Sequence, residues 1–429
     1  MSSEKSPQDQ FFKIDRIFNY VQKFSFPRLS GTTGEKKAVS LTIKTFKEIG
    51  YEDQKIQKEE FEFSDFYSTT LIKLIMVINL TFSLFVLMFT YINLYFTIII
   101  VGIMAIVVLL IIKGLKNPED PGFWGEYYGK TIFATNVFVR VPAKKLSTDQ
   151  VGDIIISAHL DSKSQSFKTC WRVFFYKVWL YCGIILGIFF VLLFIRTYTI
   201  IKINLLIIGI AVWTLTIIIS ISNFFLLFLN THNKSPGALD NATGMAVVFE
   251  LSDYFKEKPL ENFNIWFCQF SAEELGTMGS RVFINNHESE FIKNRAFQIN
   301  LDMISCMNES NNQVEYLKSY GVLPRKKIAP LLSKYLDNAA KEENIRIKGF
   351  HLSTGAHTDS VPFHLRGLDS VDIITRAGGK YTHNRADTPD KVDPKVLREA
   401  CVIVKKVILS LDRDYNILCE NKELNCILD

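Results

Sequence analysis

The sequence predicts an α/β fold: a mixed central β-sheet sandwiched by helices and interrupted by two transmembrane α-hairpins, four membrane helices in all. Three observations predict it. Short apolar runs alternate with longer amphipathic stretches along 136–412, the pattern of strands and of helices covering both faces of a sheet. Val151–Ala158 is a continuous apolar run, as a buried central strand requires. Two long blocks, beginning at Leu74 and Phe175, are nearly devoid of charge.

The 429 residues carry 49 basic and 44 acidic side chains. A net charge of +5 is too balanced for a nucleic-acid surface, and no basic stripe with interleaved aromatics occurs. Mean hydropathy is +0.14 although 22% of residues are charged. Apolar residues are therefore concentrated, which excludes both a disordered chain and a plain soluble domain. The seven cysteines are scattered and never spaced C-x-x-C, unlike a disulfide framework or a zinc knuckle. The first ten residues are polar, so no cleavable signal peptide is expected.

In chain order, Phe11, Phe12, Ile14, Ile17, Phe18 and Val21 lie at helical spacing and predict a helix over 8–26, ended by Pro27. Gly31 and Gly34 make a turn. A second amphipathic helix is expected over 35–49, with Gly50 as its cap. Strands are expected at 60–63, 136–141 and 151–158. A helix over 243–256, a strand at 264–270, a helix over 274–284 and a strand at 296–303 follow. A helix over 326–343, strands near 347–350 and 371–375, and a helix over 394–412 close the chain.

Leu74–Ile112 is 39 residues without a charge. As one helix it would measure about 58 Å, against a hydrocarbon core of about 30 Å. It is read as a hairpin turning at Thr90, Tyr91, Asn93 and Tyr95. The second hairpin breaks between Arg196 and Lys202. Residues 71–112 and 173–230 are thus transmembrane hairpins, while 1–70, 113–172 and 231–429 together form one domain on one side of a lipid bilayer. That side carries Lys73, Lys113, Lys116, Lys168, Arg172, Lys177 and Lys234, and the other only Arg196 and Lys202. The positive-inside rule then turns the domain of this multi-pass membrane protein toward the cytoplasm. No span has a charge at its middle, so the hairpins read as anchors or a homo-oligomerisation surface, not an ion pathway.

Five places put a metal-type ligand at the carboxyl end of an expected strand or in the loop after it, where catalytic groups collect in open α/β sheets. They are His159 and Asp161 in SAHLDS, Asp240 in GALDNATG, Glu273 and Glu274 in FSAEELG, Asp302 in INLDMIS and His383 in YTHNRADTPD. Singly, each has a plainer explanation. Asp240 could cap a helix, Ser271 and Glu274 could form a capping box, Asp161 could cap a turn, Asp302 could pair with an arginine, and His159 could be a core histidine. Together the plain explanations strain. Carboxylates gathered at one sheet edge repel, and burying each costs several kcal/mol unless positive charge sits among them. Two divalent cations would balance Asp240, Glu274, Asp302 and one bridging hydroxide. Imidazole and carboxylate without thiolate suit zinc, with cobalt or manganese as substitutes.

The motifs A-H-x-D-S, G-A-x-D-N-A-x-G, E-E-L-G-x-x-G-S, N-L-D-M and a late H-x-x-x-D, with Arg28, Gly31 and Gly34 before them, resemble dizinc metallopeptidase family 28. That family includes aminopeptidases, glutamate carboxypeptidases and glutaminyl cyclases. The resemblance covers nearly all of 8–70 and 130–410 and fails over the hydrophobic blocks. It implies the phosphorylase/hydrolase-like zinc exopeptidase fold and two Zn2+ per chain. It also implies that Asp240 bridges the ions, that His159 and Asp302 hold one, and that Glu274 and His383 hold the other. Glu273 is then the general base, and Asp161 the carboxylate that receives the imidazole proton of His159. The implied activity is a membrane-anchored exopeptidase, first of all an aminopeptidase, hydrolysing terminal peptide bonds of a peptide substrate with metal-activated water. Two alternatives accompany it: a glutaminyl-peptide cyclotransferase-like enzyme with one zinc, and an inactive peptidase-fold receptor or scaffold. Ser360 stands where the family has histidine in S-D-H-x-x-F, which leaves Asp359 as a candidate to orient His383. Thr382 stands directly before His383, where several relatives have an oxyanion-donating tyrosine; Tyr381, two residues before His383, is a candidate donor. Arg376 is a candidate carboxylate clamp, and Asp387, Thr388 and Asp390 read as turn formers.

Overall fold

The computed structural model describes residues 11–92, 94–114, 127–145, 151–198, 205–307, 312–321, 325–353 and 357–425. Two compact units make up the chain: Met1–Phe63, Ile132–Ser164 and Asn233–Asp429 form one, and Ser64–Thr131 and Gln165–His232 the other.

The first unit is built on a mixed sheet of β1 (Ile56–Ser64), β2 (Thr131–Val141), β3 (Gly152–His159), β4 (Phe263–Phe270), β5 (Ala296–Leu301), β6 (Val314–Tyr320), β7 (Ile347–Leu352) and β8 (Asp369–Ile373). The strand order is β1-β2-β4-β3-β5-β8-β6-β7, and a two-residue strand, Lys326–Lys327, pairs with β6. β4, β3, β5 and β8 run parallel; β2 and β6 are antiparallel to their neighbours β4 and β8. The three central strands are buried at every residue, which is why most of their residues are apolar. Successive side chains of β3 serve opposite faces. Ile154, Ile156 and Ala158 join the larger core, which includes residues of α1 (Ile14–Phe24), Thr243–Glu257 and Pro394–Arg413. Ile155 joins the other core, with Trp266, Phe283 and Phe363.

The strand Val314–Tyr320 goes beyond the sequence expectation. Glu315 and Lys318 interrupt its apolar pattern, yet Glu315 is buried because Arg376 and Thr375 satisfy its carboxylate. The helix expected at 274–284 begins only at Met278. Gly50 caps Thr33–Ile49 with φ 98°, as expected.

The second unit contains the helices Leu71–Ile92, Leu94–Gly114, Thr169–Tyr198 and Leu205–Leu227. Leu205–Leu227 packs on both Thr169–Tyr198 and Leu71–Ile92. Asn223 Nδ2 donates to Asn79 Oδ1 at 3.3 Å, and Phe175 stacks on Phe225 with centroids 5.0 Å apart. Among the described residues, three stretches are long and apolar enough to cross a membrane: Phe66–Met88, Thr169–Leu192 and Leu206–Leu227. Tyr95–Ile111 is a shorter apolar helix. Asn93, Lys116 and the turn at 199–204 lie outside the described residues.

Candidate metal centre

The parallel strands deliver their carboxyl ends to one edge. His159 ends β3 opposite Phe270, the last residue of β4. Ser157 faces Asn300, so Asp302, just past β5, lies level with His159. Asp240 comes from the segment Ala238–Ala242 that leads into the helix Thr243–Glu257. His159 Nε2 stands 3.1 Å from Asp240 Oδ1 and 3.5 Å from Asp302 Oδ1. His383 Nε2 stands 3.1 Å from Asp240 Oδ2 and 3.2 Å from Glu274 Oε2. Two groups that could each hold a metal ion result, His159–Asp240–Asp302 and Asp240–Glu274–His383. Within each group the ligand atoms lie within 4.8 Å of one another. Asp240 belongs to both, one oxygen toward each. Glu273 Oε2 is 3.9 Å from His159 Nε2. All seven residues singled out in the sequence therefore meet.

Glu273 and Glu274 do not open a helix. They sit in an irregular corner where Ala272 (φ 58°) and Thr277 (φ 57°) take left-handed conformations unusual outside glycine. No capping box forms. Instead four successive amides donate to side chains from distant segments. Ser271 N reaches Asn136 Oδ1 at 2.9 Å, and Ala272 N reaches Ser30 Oγ at 3.0 Å. Glu273 N and Glu274 N reach the two Asp161 oxygens at 3.2 and 3.3 Å. Ser30 Oγ also donates to Asp161 Oδ2 at 2.9 Å, and Ser271 Oγ to Glu35 Oε1 at 3.0 Å. Gly279 closes the corner: a Cβ there would lie 2.2 Å from Ser271 O and 2.4 Å from Asn136 Oδ1.

The Asp161 carboxylate thus serves this corner as well as lying beside His159. His159 Nδ1 lies 3.2 Å from the Asp161 carbonyl and 3.4 Å from its Oδ1. With the proton on Nδ1, Nε2 presents its lone pair to the centre. Asp387 is not a surface turn former. It is buried, and its carboxylate accepts from Leu239 N at 2.6 Å and Asp240 N at 3.3 Å. The H-x-x-x-D spacing carried that signal. Arg28 is also buried. It donates to the carbonyls of Phe24, Leu160, Pro236 and Gly237 and so ties the His159 loop to the Asp240 segment. An arginine amid Phe24, Phe26 and Pro27 was its trace in the sequence. Lys163, paired with Glu274, left none. Among the described residues, Asp359 makes no hydrogen bond to His383, so it does not orient His383 in that way. Arg376 is engaged by Glu315 at 2.9 Å and lies over Phe350, so it is not a free carboxylate clamp. Thr388 and Asp390 do form an exposed turn, bonded at 2.5 Å.

The electrostatics describe a site short of positive charge. Burial pushes the Glu273 and Asp302 carboxyls up, and raises Asp359 and Asp387 to about 7. Burial also opposes the charged forms of Glu274 and His159. Yet Lys163 helps hold Glu274 down at about 2, and the carboxylates around His159, Glu273 foremost, push its imidazole up. His159 Nε2 and Asp302 Oδ1 are buried, close together and, among the described residues, without a hydrogen-bond partner. Such orphaned atoms on converging imidazole and carboxylate ligands fit zinc.

Residues 227–408 match the family model of peptidase family M28. That stretch, less than half of the chain, carries Asp240, Glu273, Glu274, Asp302 and His383 and is similar to peptidase family M28. Aminopeptidase YwaD of Bacillus subtilis is 27% identical over 181 residues, 41% of this chain and 37% of that protein. The probable lipoprotein aminopeptidase LpqL of Mycobacterium tuberculosis is 30% identical over 80 residues, 19% of this chain and 16% of its own length. The chain thus spans well under half of the curated relatives it matches. A solved aminopeptidase from Aneurinibacillus sp. strain AM-1 superposes with a TM-score of 0.55 at 14% identity, covering 93% of this chain and 94% of its own. A glutaminyl cyclase from an Acidobacteriales bacterium gives 0.52 at 15% identity, covering 96% and 99%. At these identities the likeness is one of fold, the mixed sheet flanked by helices.

Proposed function

We propose that this protein is a membrane-anchored zinc exopeptidase that removes residues from the amino end of peptides. The observation that carries the reading is the pair of buried ligand groups sharing Asp240, with Glu273 beside them. Two zinc ions bound there would polarise the scissile carbonyl and make water more acidic. The chain's own residues do the rest. Asp240 takes both ligand groups at once; His159 and Asp302 complete one, Glu274 and His383 the other. Glu273 takes the proton of the attacking water and passes it to the leaving amine. Burial pushes its carboxyl up, which makes its carboxylate a stronger base for taking that proton. Asp161 holds the amides of Glu273 and Glu274 and keeps base and ligand apart.

The aminopeptidase assignment draws on the curated relatives' names. Anchoring draws on the three membrane-length helices and the shorter fourth, and the cytoplasmic face on the lysines and arginines near the span ends.

The test is the full chain in detergent, assayed on a panel of free and blocked aminoacyl reporters. Release of unblocked residues should vanish on chelation and return with zinc, at two ions per chain. Cyclisation of N-terminal glutamine by a one-zinc form would move the chain to the cyclase branch. A fully loaded protein without turnover would make it a scaffold.

A further inference from the structure

Residue 163 meets Glu274 three times. Its amide donates to Glu274 Oε1 at 3.2 Å. Its ammonium lies 2.7 Å from Oε2 and 3.0 Å from the Glu274 carbonyl oxygen. Both side chains are shielded, 13% and 3% exposed. His383 Nε2 reaches the same Oε2 at 3.2 Å. An ammonium and an imidazole therefore converge on the oxygen through which Glu274 would share an ion with His383. The other group is different: among the described residues, no lysine or arginine forms an ion pair with Asp240 or Asp302.

We propose that Lys163 is the resident counter-cation of the Glu274–His383 position, and that it weakens the binding of a divalent ion there. The inference rests on the two-ion reading above. Without metal, the ammonium compensates a carboxylate crowded by other carboxylates. With metal, two like charges share one desolvated pocket and repel. A group that stabilises the metal-free site and opposes its loaded form shifts loading by its preference between the two states. Lys163 thus makes the centre unequal, with an ion held on the Glu274–His383 side under electrostatic load. The main-chain amide of residue 163 grips Oε1 whatever the side chain. Replacing the side chain therefore removes the charge without releasing the carboxylate.

The experiment is zinc titration of the metal-stripped full chain in detergent, competed against a chromophoric chelator. Asp302→Asn, which disables the other group, isolates the Glu274–His383 position. Added to it, Lys163→Met should tighten zinc by about 10-fold or more, the scale on which groups around metal ligands act. Lys163→Arg, which keeps the charge, should stay within about 3-fold of the lysine protein. The melting temperature of metal-free Lys163→Met should fall while its rise on adding zinc grows; Lys163→Gln serves as a second neutral variant if the methionine protein does not fold. Unchanged or weaker zinc binding in both neutral variants overturns the proposal, even where the wild-type chain takes up two ions. Failure of the wild-type chain to bind zinc at all removes the two-ion reading and the proposal together.

Discussion

The two halves of the centre are supplied by different kinds of backbone. His159 and Asp302 stand at the ends of adjacent parallel strands, level because the register places Ser157 opposite Asn300. The ladder that builds the sheet also places these candidate ligands. Glu273, Glu274 and Asp240 come from irregular chain, and there side chains do the placing: Ser30, Asn136 and Asp161 for the corner, Asp387 and Arg28 for the Asp240 segment. A ligand on a strand inherits its position from the fold. One on a loop needs partners that can be lost one at a time, more than a hundred residues away in sequence.

The largest expected effect separates chemistry from placement within the loop half. Glu273→Gln keeps the size and the amide contacts of the corner but cannot take a proton. Turnover should fall by about 10³-fold or more, with elemental analysis still giving two zinc ions per chain. A loss of zinc would instead make Glu273 the ligand and Glu274 the base.

Next in size is Asp161→Asn. The amide nitrogen of the new side chain must face one of two amide donors, so either Glu273 N or Glu274 N loses its acceptor. His159 keeps the main-chain carbonyl of residue 161 at 3.2 Å. Zinc should therefore leave the Glu274–His383 side first, with affinity there and kcat/KM both falling about 10–100-fold. Equal loss from both sides would mean that Asp161 serves His159 as much as the corner, and the contrast between strand and loop would weaken.

The same contrast sets what could be read from the sequence. The strand-borne ligands were legible because an apolar run ending in A-H or N-L-D fixes both an element and the position of its last side chain. The seven chemical residues and the alternation of strands and helices needed only such local pattern. The corner was not legible. Ser271 and Glu274 have the spacing of a capping box, which predicts a helix start, but Asn136, Ser30 and Asp161 satisfy its amides first, and the helix waits until Met278. Asp387 looked like a turn former because the amides that donate to it, Leu239 N and Asp240 N, lie about 150 residues earlier. The strand Val314–Tyr320 was hidden by Glu315, whose partner Arg376 lies 61 residues on. Local propensity yields to distant hydrogen bonds in each case.

The smallest effect tests whether the corner is held by several groups or by Asp161 alone. Ser30 Oγ accepts from Ala272 N and donates to Asp161 Oδ2, at 3.0 and 2.9 Å. Ser30→Ala strands a buried amide on a residue already in a left-handed conformation, at a cost of about 1–3 kcal/mol. In a protein of this size each kcal/mol lowers the melting temperature by about 1–2 °C. Asp161 keeps both of its remaining amides, so zinc content should not change and kcat/KM should drop by no more than about 10-fold. Hydrogen exchange supplies the discriminating readout: amides 272–274 should exchange faster in the variant while those of β4 stay protected. Unchanged exchange at 272–274 would leave Asp161 as the single clamp, and the loop half would then hang on one side chain, not on several.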